Sequence, residues 1–133
     1  RVSSCMTKPL AIGDIITARF PVHTPTGHEQ EGLRPALVVG LPDNVAKPRF
    51  AMVWVAPITT DRNQAWATSD LYPKLSSSVT GLSSDSIVLL EQVRSLDAQR
   101  VGKYVSSLPQ NVYEPIARSL ATITDLQLGE NSV

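Results

Sequence analysis

Three runs near the start of the chain, residues 13–20, 35–41 and 50–59, alternate their side chains with a period of two, and the links between them are short. In the first, Ile16, Ala18 and Phe20 alternate with Thr17 and Arg19, and Gly13 marks the start. In the second, Pro35, Leu37 and Val39 oppose Ala36 and Val38; both sets are apolar, which predicts a strand covered on both faces. In the third, Phe50, Met52, Trp54 and Ile58 share one parity, with Val53, Val55 and Thr59 on the other. β-branched and aromatic residues of this kind suit a pleated, half-buried surface better than a helix. A link such as "LPDNVAKP" is a turn cluster, too short for the crossover that parallel strands require. The sheet is therefore expected to be mainly antiparallel.

Further along, "TDRNQAWATSDLYPKLSSSVT" is polar, with Trp66 and Tyr72 as isolated anchors and room for one or two short edge strands. Residues 86–96, "SIVLLEQVRSL", read as a strand long enough to need a bend or bulge. The period then changes. Within 111–126, Val112, Ile116, Leu120 and Ile123 recur at helical spacing, with Ala117 and Leu126 near the same stripe. Asn111 and Glu114 have the spacing of a capping box, and Pro115 falls at the edge of the first turn. The fold class expected is mainly β, a small antiparallel barrel with one C-terminal helix. Residues 1–12 are read as an N-terminal extension, 13–126 as a single domain and 127–133 as a tail.

Composition narrows the functional classes. A chain of 133 residues, 42% hydrophobic and 18% charged, is an ordinary globular domain with enough material for a core. No apolar run approaches the roughly 18 residues of a membrane helix, and "RVSSCMTKPLAIGD" shows no apolar h-region. Cys5 is the single cysteine, which excludes an internal disulfide and fits a reducing cytoplasm. His23 and His28 make a poor metal cluster, so neither a metal nor a cofactor is expected. The formal net charge is zero, without the basic excess of sequence-blind nucleic-acid binders. An RNA-binding role would need cations sorted by position, in a groove around Arg34, Arg62, Lys74 or Arg94.

One loop stands out chemically. "GHEQEGLRP", residues 27–35, gathers a histidine, two glutamates, a glutamine and an arginine between glycines and a proline. With "GDI" before it, "VAPITT" after it, "GL…DS…LLEQVRSLDAQR" next and a final helix, this block resembles the MazF/PemK toxin family, including its Kid-like branch, from Gly13 to Leu126. The resemblance implies an SH3-like barrel with a C-terminal helix, a homodimer, and a metal-independent endoribonuclease of a toxin–antitoxin pair. It also implies single-stranded RNA as substrate and an antitoxin protein as partner, whose acidic segment would meet Arg34 in place of a phosphate.

The same resemblance assigns roles by position. Arg34 matches the functional arginine before Pro-Ala, and a guanidinium can clamp phosphate with two parallel bonds; an ion pair with Glu29 or Glu31 is the structural alternative. Thr59 matches the active-site threonine after Pro-x, although a strand-end threonine needs no function. His28 changes charge near neutral pH and could serve as base or acid; Glu29 and Gln30 are RNA-contact candidates, joined by the cation Arg62. Glu91 stands where the Kid-like branch has its general base, and by simple alternation shares a face with Ile87, Leu89 and Val93. The arginine that branch carries two residues earlier is Leu89 here. Either Arg34 carries the charge role, or the chain is a degenerate member that binds without cleaving. Gln92 and Arg94 read as strand and dimer-surface residues, Arg94 as part of a structural ion pair. The gyrase-binding CcdB toxins have a related barrel but act through a C-terminal Trp-Gly-Ile; "GENSV" lacks it, so gyrase is not the expected target.

Overall fold

The computed structural model describes residues 9–21, 27 and 32–126. The alternating runs become β1 (Asp14–Phe20), β2 (Gly32–Gly40) and β3 (Met52–Thr60). They are followed by β4 (Lys74–Leu75), the short helix α1 (Ser77–Thr80), β5 (Ser86–Val88), β6 (Arg94–Asp97), β7 (Val101–Ser107) and the helix α2 (Gln110–Ile123). The sheet runs β4-β5-β3-β2-β1-β7, and β6 also pairs with β3. Every pairing is antiparallel. Register shifts between β1 and β7 curl the sheet into a half-barrel. The curl is tied across its open side by α1: the Ser106 hydroxyl on β7 donates to the Thr80 carbonyl.

Both faces of the central strands are covered, as the apolar parity of the second run predicts. Ile15, Leu37, Ala56 and Ile58 pack with Leu90, Leu108, Tyr113 and Ile116, which places α2 over one face. Ile16, Ala18, Phe20, Ala36, Val38, Val53 and Val55 pack with Leu96 and Val101 on the other. In the third run the larger apolar set faces outward at its start. Phe50 and Trp54 are exposed while Val53 and Val55 are buried. Gly40 answers that arrangement, since a Cβ there would stand 2.9 Å from the Trp54 Cβ.

The opening "GDI" is a clamp. The Asp14 carboxylate is buried and accepts from the Ala11 N–H at 2.9 Å and the Ser107 hydroxyl at 2.7 Å, fastening the start of β1 to the end of β7.

Two expectations are corrected here. Residues 86–96 form two short strands, β5 and β6, separated by a 3₁₀ turn at Leu90–Gln92; both strands pair along β3, at opposite ends of it. The capping box does not form. The N-cap of α2 is Pro109, with no side-chain cap bond. Its fixed φ of −61° already sets the chain entry, one residue ahead of Asn111, so the Asn-x-x-Glu spacing falls inside the helix. Pro115 lies within α2, which continues to Ile123. Among the described residues no helix is long and apolar enough to cross a membrane.

Candidate active site at the sheet rim

Strand register determines what meets at the rim. β2 and β3 pair Ala36 with Pro57, Leu37 with Ala56 and Val38 with Val55. Extending that register by two residues sets Arg34 opposite Thr59. Arg34 also pairs with Ala18 on β1, and Thr59 with Ile87 on β5, which in turn pairs with Lys74 on β4. Ala18, Arg34, Thr59, Ile87 and Lys74 thus form one row across the sheet. Residues opposite one another in an antiparallel ladder share a face. Ala18 lies in one buried cluster; Ile87 lies in a separate one with Ala67 and Leu89. Arg34 and Thr59 occupy the stretch between the two clusters.

Two hollows open there, joined by Thr59. The first, about 380 Å³, is lined by Arg34, Pro35, Ile58, Thr59, Thr60, Arg62, Leu82, Ser83, Ser84 and Ser86. Two guanidinium-bearing residues and a set of hydroxyls, with no carboxylate in the lining, suit an anion such as a phosphodiester. The second, about 350 Å³, is lined by Thr59, Gln64, Trp66, Tyr72, Leu89, Glu91 and Gln92. It contains a carboxylate, two amides and two aromatic rings. Positive and negative groups are therefore segregated on either side of one threonine. A larger hollow of about 490 Å³, between residues 67–74 and α2, contains neither Arg34 nor Thr59.

The second hollow is held together by contacts distant in sequence. The Tyr72 hydroxyl donates to Glu91 Oε1 at 2.5 Å, and the Trp66 and Tyr72 rings meet edge-to-face at 4.9 Å and 76°. The hydrogen bond to Glu91, with smaller contributions from burial and from the carboxylate's charge, raises the Tyr72 pKa above the ordinary 10.0. The loop leading to Trp66 is braced locally. Asp61 Oδ1 accepts from the Asn63 N–H, Gln64 Oε1 from the Arg62 N–H, both at 2.9 Å, and Asn63 takes a φ of +59°.

Of the residues the sequence singled out, the structure brings Arg34, Thr59 and Arg62 to one hollow and Glu91 to its neighbour. His28, Glu29, Gln30 and Glu31 lie outside the described residues. Glu91 is exposed, on the 3₁₀ turn, because that turn breaks the alternation that would have set it among Ile87, Leu89 and Val93. Gln92 belongs to the same turn and lines the second hollow; it is not a strand residue. Arg94 lies on β6 with its guanidinium 5.6 Å from the centre of the Phe20 ring. Lys74 stands 3.9 Å from the Asp61 carboxylate and lines neither rim hollow. Sequence reasoning missed Gln64, and it took Trp66 and Tyr72 for isolated anchors. Only the concentration of polar and aromatic residues in a loop hinted at them.

A curled antiparallel sheet with a helix on one face and a cationic, hydroxyl-lined hollow at its rim defines a small anion-binding barrel protein. The chain belongs to the PemK-like, MazF-like toxin family of type II toxin–antitoxin systems, whose model matches residues 11–124. It is 29% identical over 94 residues to endoribonuclease EndoA of Bacillus subtilis (strain 168), an alignment covering 71% of this chain and 78% of that one. The fold is also that of MazF from Deinococcus radiodurans, at a TM-score of 0.63 and 22% identity, over 86% of this chain and 94% of that chain. An endoribonuclease from a mycobacterial species, solved in complex with its cognate antitoxin, matches at a TM-score of 0.63 and 18% identity. That match covers 93% of this chain and all of the other (100%).

Proposed function

We propose that this chain is a toxin that cleaves single-stranded RNA at chosen sequences without a metal, leaving a 2′,3′-cyclic phosphate and a 5′-hydroxyl. The observation that carries the reading is Thr59, shared by a hollow containing Arg34 and Arg62 and a hollow containing Glu91. In this reading the scissile phosphate lies against Thr59 with its oxygens toward the cations. The 2′-oxygen attacks phosphorus, its proton passes to the Glu91 carboxylate, and the P–O5′ bond breaks with a proton delivered to O5′. In-line displacement puts the attacking and leaving oxygens on opposite sides of phosphorus. A proton acceptor across Thr59 from the cations fits that demand. Arg34 would neutralise the charge that builds on the phosphorane, a role worth on the order of 10²–10³ in rate for one preorganised donor. A flexible backbone and unstacked bases make single-stranded RNA the substrate.

The partners follow from the same reading: a cognate antitoxin, whose carboxylates would compete for Arg34, and a second copy of the chain in a homodimer. The reaction would take place in the cytoplasm, where messenger RNA is found. The test is antitoxin-free protein on long RNA with EDTA present, mapped by primer extension beside Arg34→Ala. The wild type should cut at defined sites and the variant about 10²–10³-fold more slowly. Intact RNA under conditions where a control nuclease cuts would end the proposal.

One observation favours a second reading, a member that binds its antitoxin without cleaving. Leu89, at the position where the Kid-like pattern carries an arginine, is 3% exposed and packed with Ala67 and Ile87. A binding-only protein would keep its antitoxin affinity in Arg34→Ala and show no cleavage in either form.

A further inference from the structure

We infer that Trp66 is a stacking platform for one unpaired nucleobase, that of the nucleotide whose 2′-hydroxyl attacks, and that Gln64 reads an edge of that base. The inference rests on the nuclease reading above and extends it to a base subsite.

Trp66 is a large aromatic left 48% exposed beside Thr59, in a hollow it shares with Gln64, Glu91 and Gln92. Its position is set in advance. Tyr72 meets it edge-to-face, the Tyr72 hydroxyl is bonded to Glu91, and the neighbouring Ala67 is 1% exposed in the small cluster with Ile87 and Leu89. A ring braced from one side presents its other surface without further ordering cost, as base stacking requires. Gln64 is oriented too. Its side-chain oxygen accepts from the Arg62 N–H, which leaves the amino end as the group that meets a ligand. An amino group donates only, so it selects a base edge that offers an acceptor.

The assignment to the attacking nucleotide follows from how charge is divided around Thr59. With the phosphate drawn to Arg34 and Arg62, the sugar whose 2′-hydroxyl gives its proton to Glu91 lies on the Glu91 side. Its base then enters the hollow that contains Trp66.

Two readouts separate this inference from the nuclease reading. In a Trp54→Phe background Trp66 is the only tryptophan, and single-stranded DNA oligonucleotides of mixed sequence serve as the probe because they lack the 2′-hydroxyl. Their binding should quench Trp66 emission to saturation. Trp66→Ala should bind them roughly 5- to 150-fold more weakly, the range expected for one lost base stack, and Trp66→Phe should retain most of the affinity. On RNA, Trp66→Ala should raise KM more than it lowers kcat. Gln64→Glu, which keeps an oxygen for Arg62 and exchanges the donor for an acceptor, should change the base preferred just 5′ of the cut. If wild type cleaves RNA while Trp66 emission and the Trp66→Ala KM stay unchanged, the platform is refuted and the nuclease reading stands. A preference that shifts only 3′ of the cut overturns the assignment to the attacking nucleotide. Saturable quenching by a protein that cuts no RNA supports the platform and removes the nuclease.

Discussion

The same two strands serve opposite purposes at their two ends. Through Leu37–Ala56 and Val38–Val55, β2 and β3 are wholly buried and fill both layers of the core. A few residues away, at Arg34 and Thr59, they project a guanidinium and a hydroxyl into a solvent-open hollow. One register fixes both ends, so the precision of the rim derives from the packing of the centre. A strand cannot slip by one residue without turning its buried set outward, and that cost holds Arg34 opposite Thr59. The site needs no dedicated scaffold of its own; it is where a well-determined pairing runs past its apolar cover.

Substitutions at the two ends should therefore separate stability from activity. Leu37→Ala is expected to have the largest effect on folding, a loss of about 2–5 kcal/mol in urea unfolding, with activity per folded molecule retained. Reduced activity in the folded fraction would show that core and rim are not joined in the way described. Thr59→Val, which keeps shape and removes the hydroxyl, should leave the unfolding midpoint nearly unchanged. It should lower kcat/KM by about tenfold, the scale of one hydrogen bond of about 1 kcal/mol. A collapse in stability instead would return Thr59 to a strand-end role.

The smallest effect separates the regions by pH. Tyr113, in the core beneath α2, has its phenol pKa raised above 10.0 by burial, whereas at the rim Tyr72 is raised chiefly by its bond to Glu91. In both cases the unfolded chain releases the proton first. The folded state then binds more protons, and stability falls as pH rises from about 10 through the folded pKa. Tyr113→Phe and Tyr72→Phe should each flatten part of that decline in thermal unfolding. Only Tyr72→Phe should also alter the pH profile of cleavage, by releasing Glu91. Equal effects of both on the profile would contradict the division of roles.

How much of this was legible in the sequence follows from which forces are local. Strands β1, β2 and β3 were readable because burial on a pleated surface imposes a period of two, and α2 because one face of a helix imposes its own. The turn at Leu90–Gln92 was not readable. "LLEQV" carries no glycine or proline, and the chain bends there to reach a second stretch of β3. The capping box failed because Pro109 constrains the backbone one step earlier than Asn111. Within the site, Arg34 and Thr59 were legible through their resemblance to a known pattern, and register then explains why they meet. The second hollow was not, since Tyr72 and Glu91 are 19 residues apart and no periodicity links them.

The central claim is that Arg34 and Thr59 grip one phosphate, and a double-mutant cycle on kcat/KM tests it most directly. Arg34→Ala alone should cost about 10²–10³-fold and Thr59→Val alone about tenfold. If both hold the same group, the hydroxyl has little left to grip once the guanidinium is gone. The combined loss should then fall short of the product of the single losses by at least about 0.5 kcal/mol. Losses that multiply in full would show two residues acting apart, and the shared phosphate would have to be abandoned.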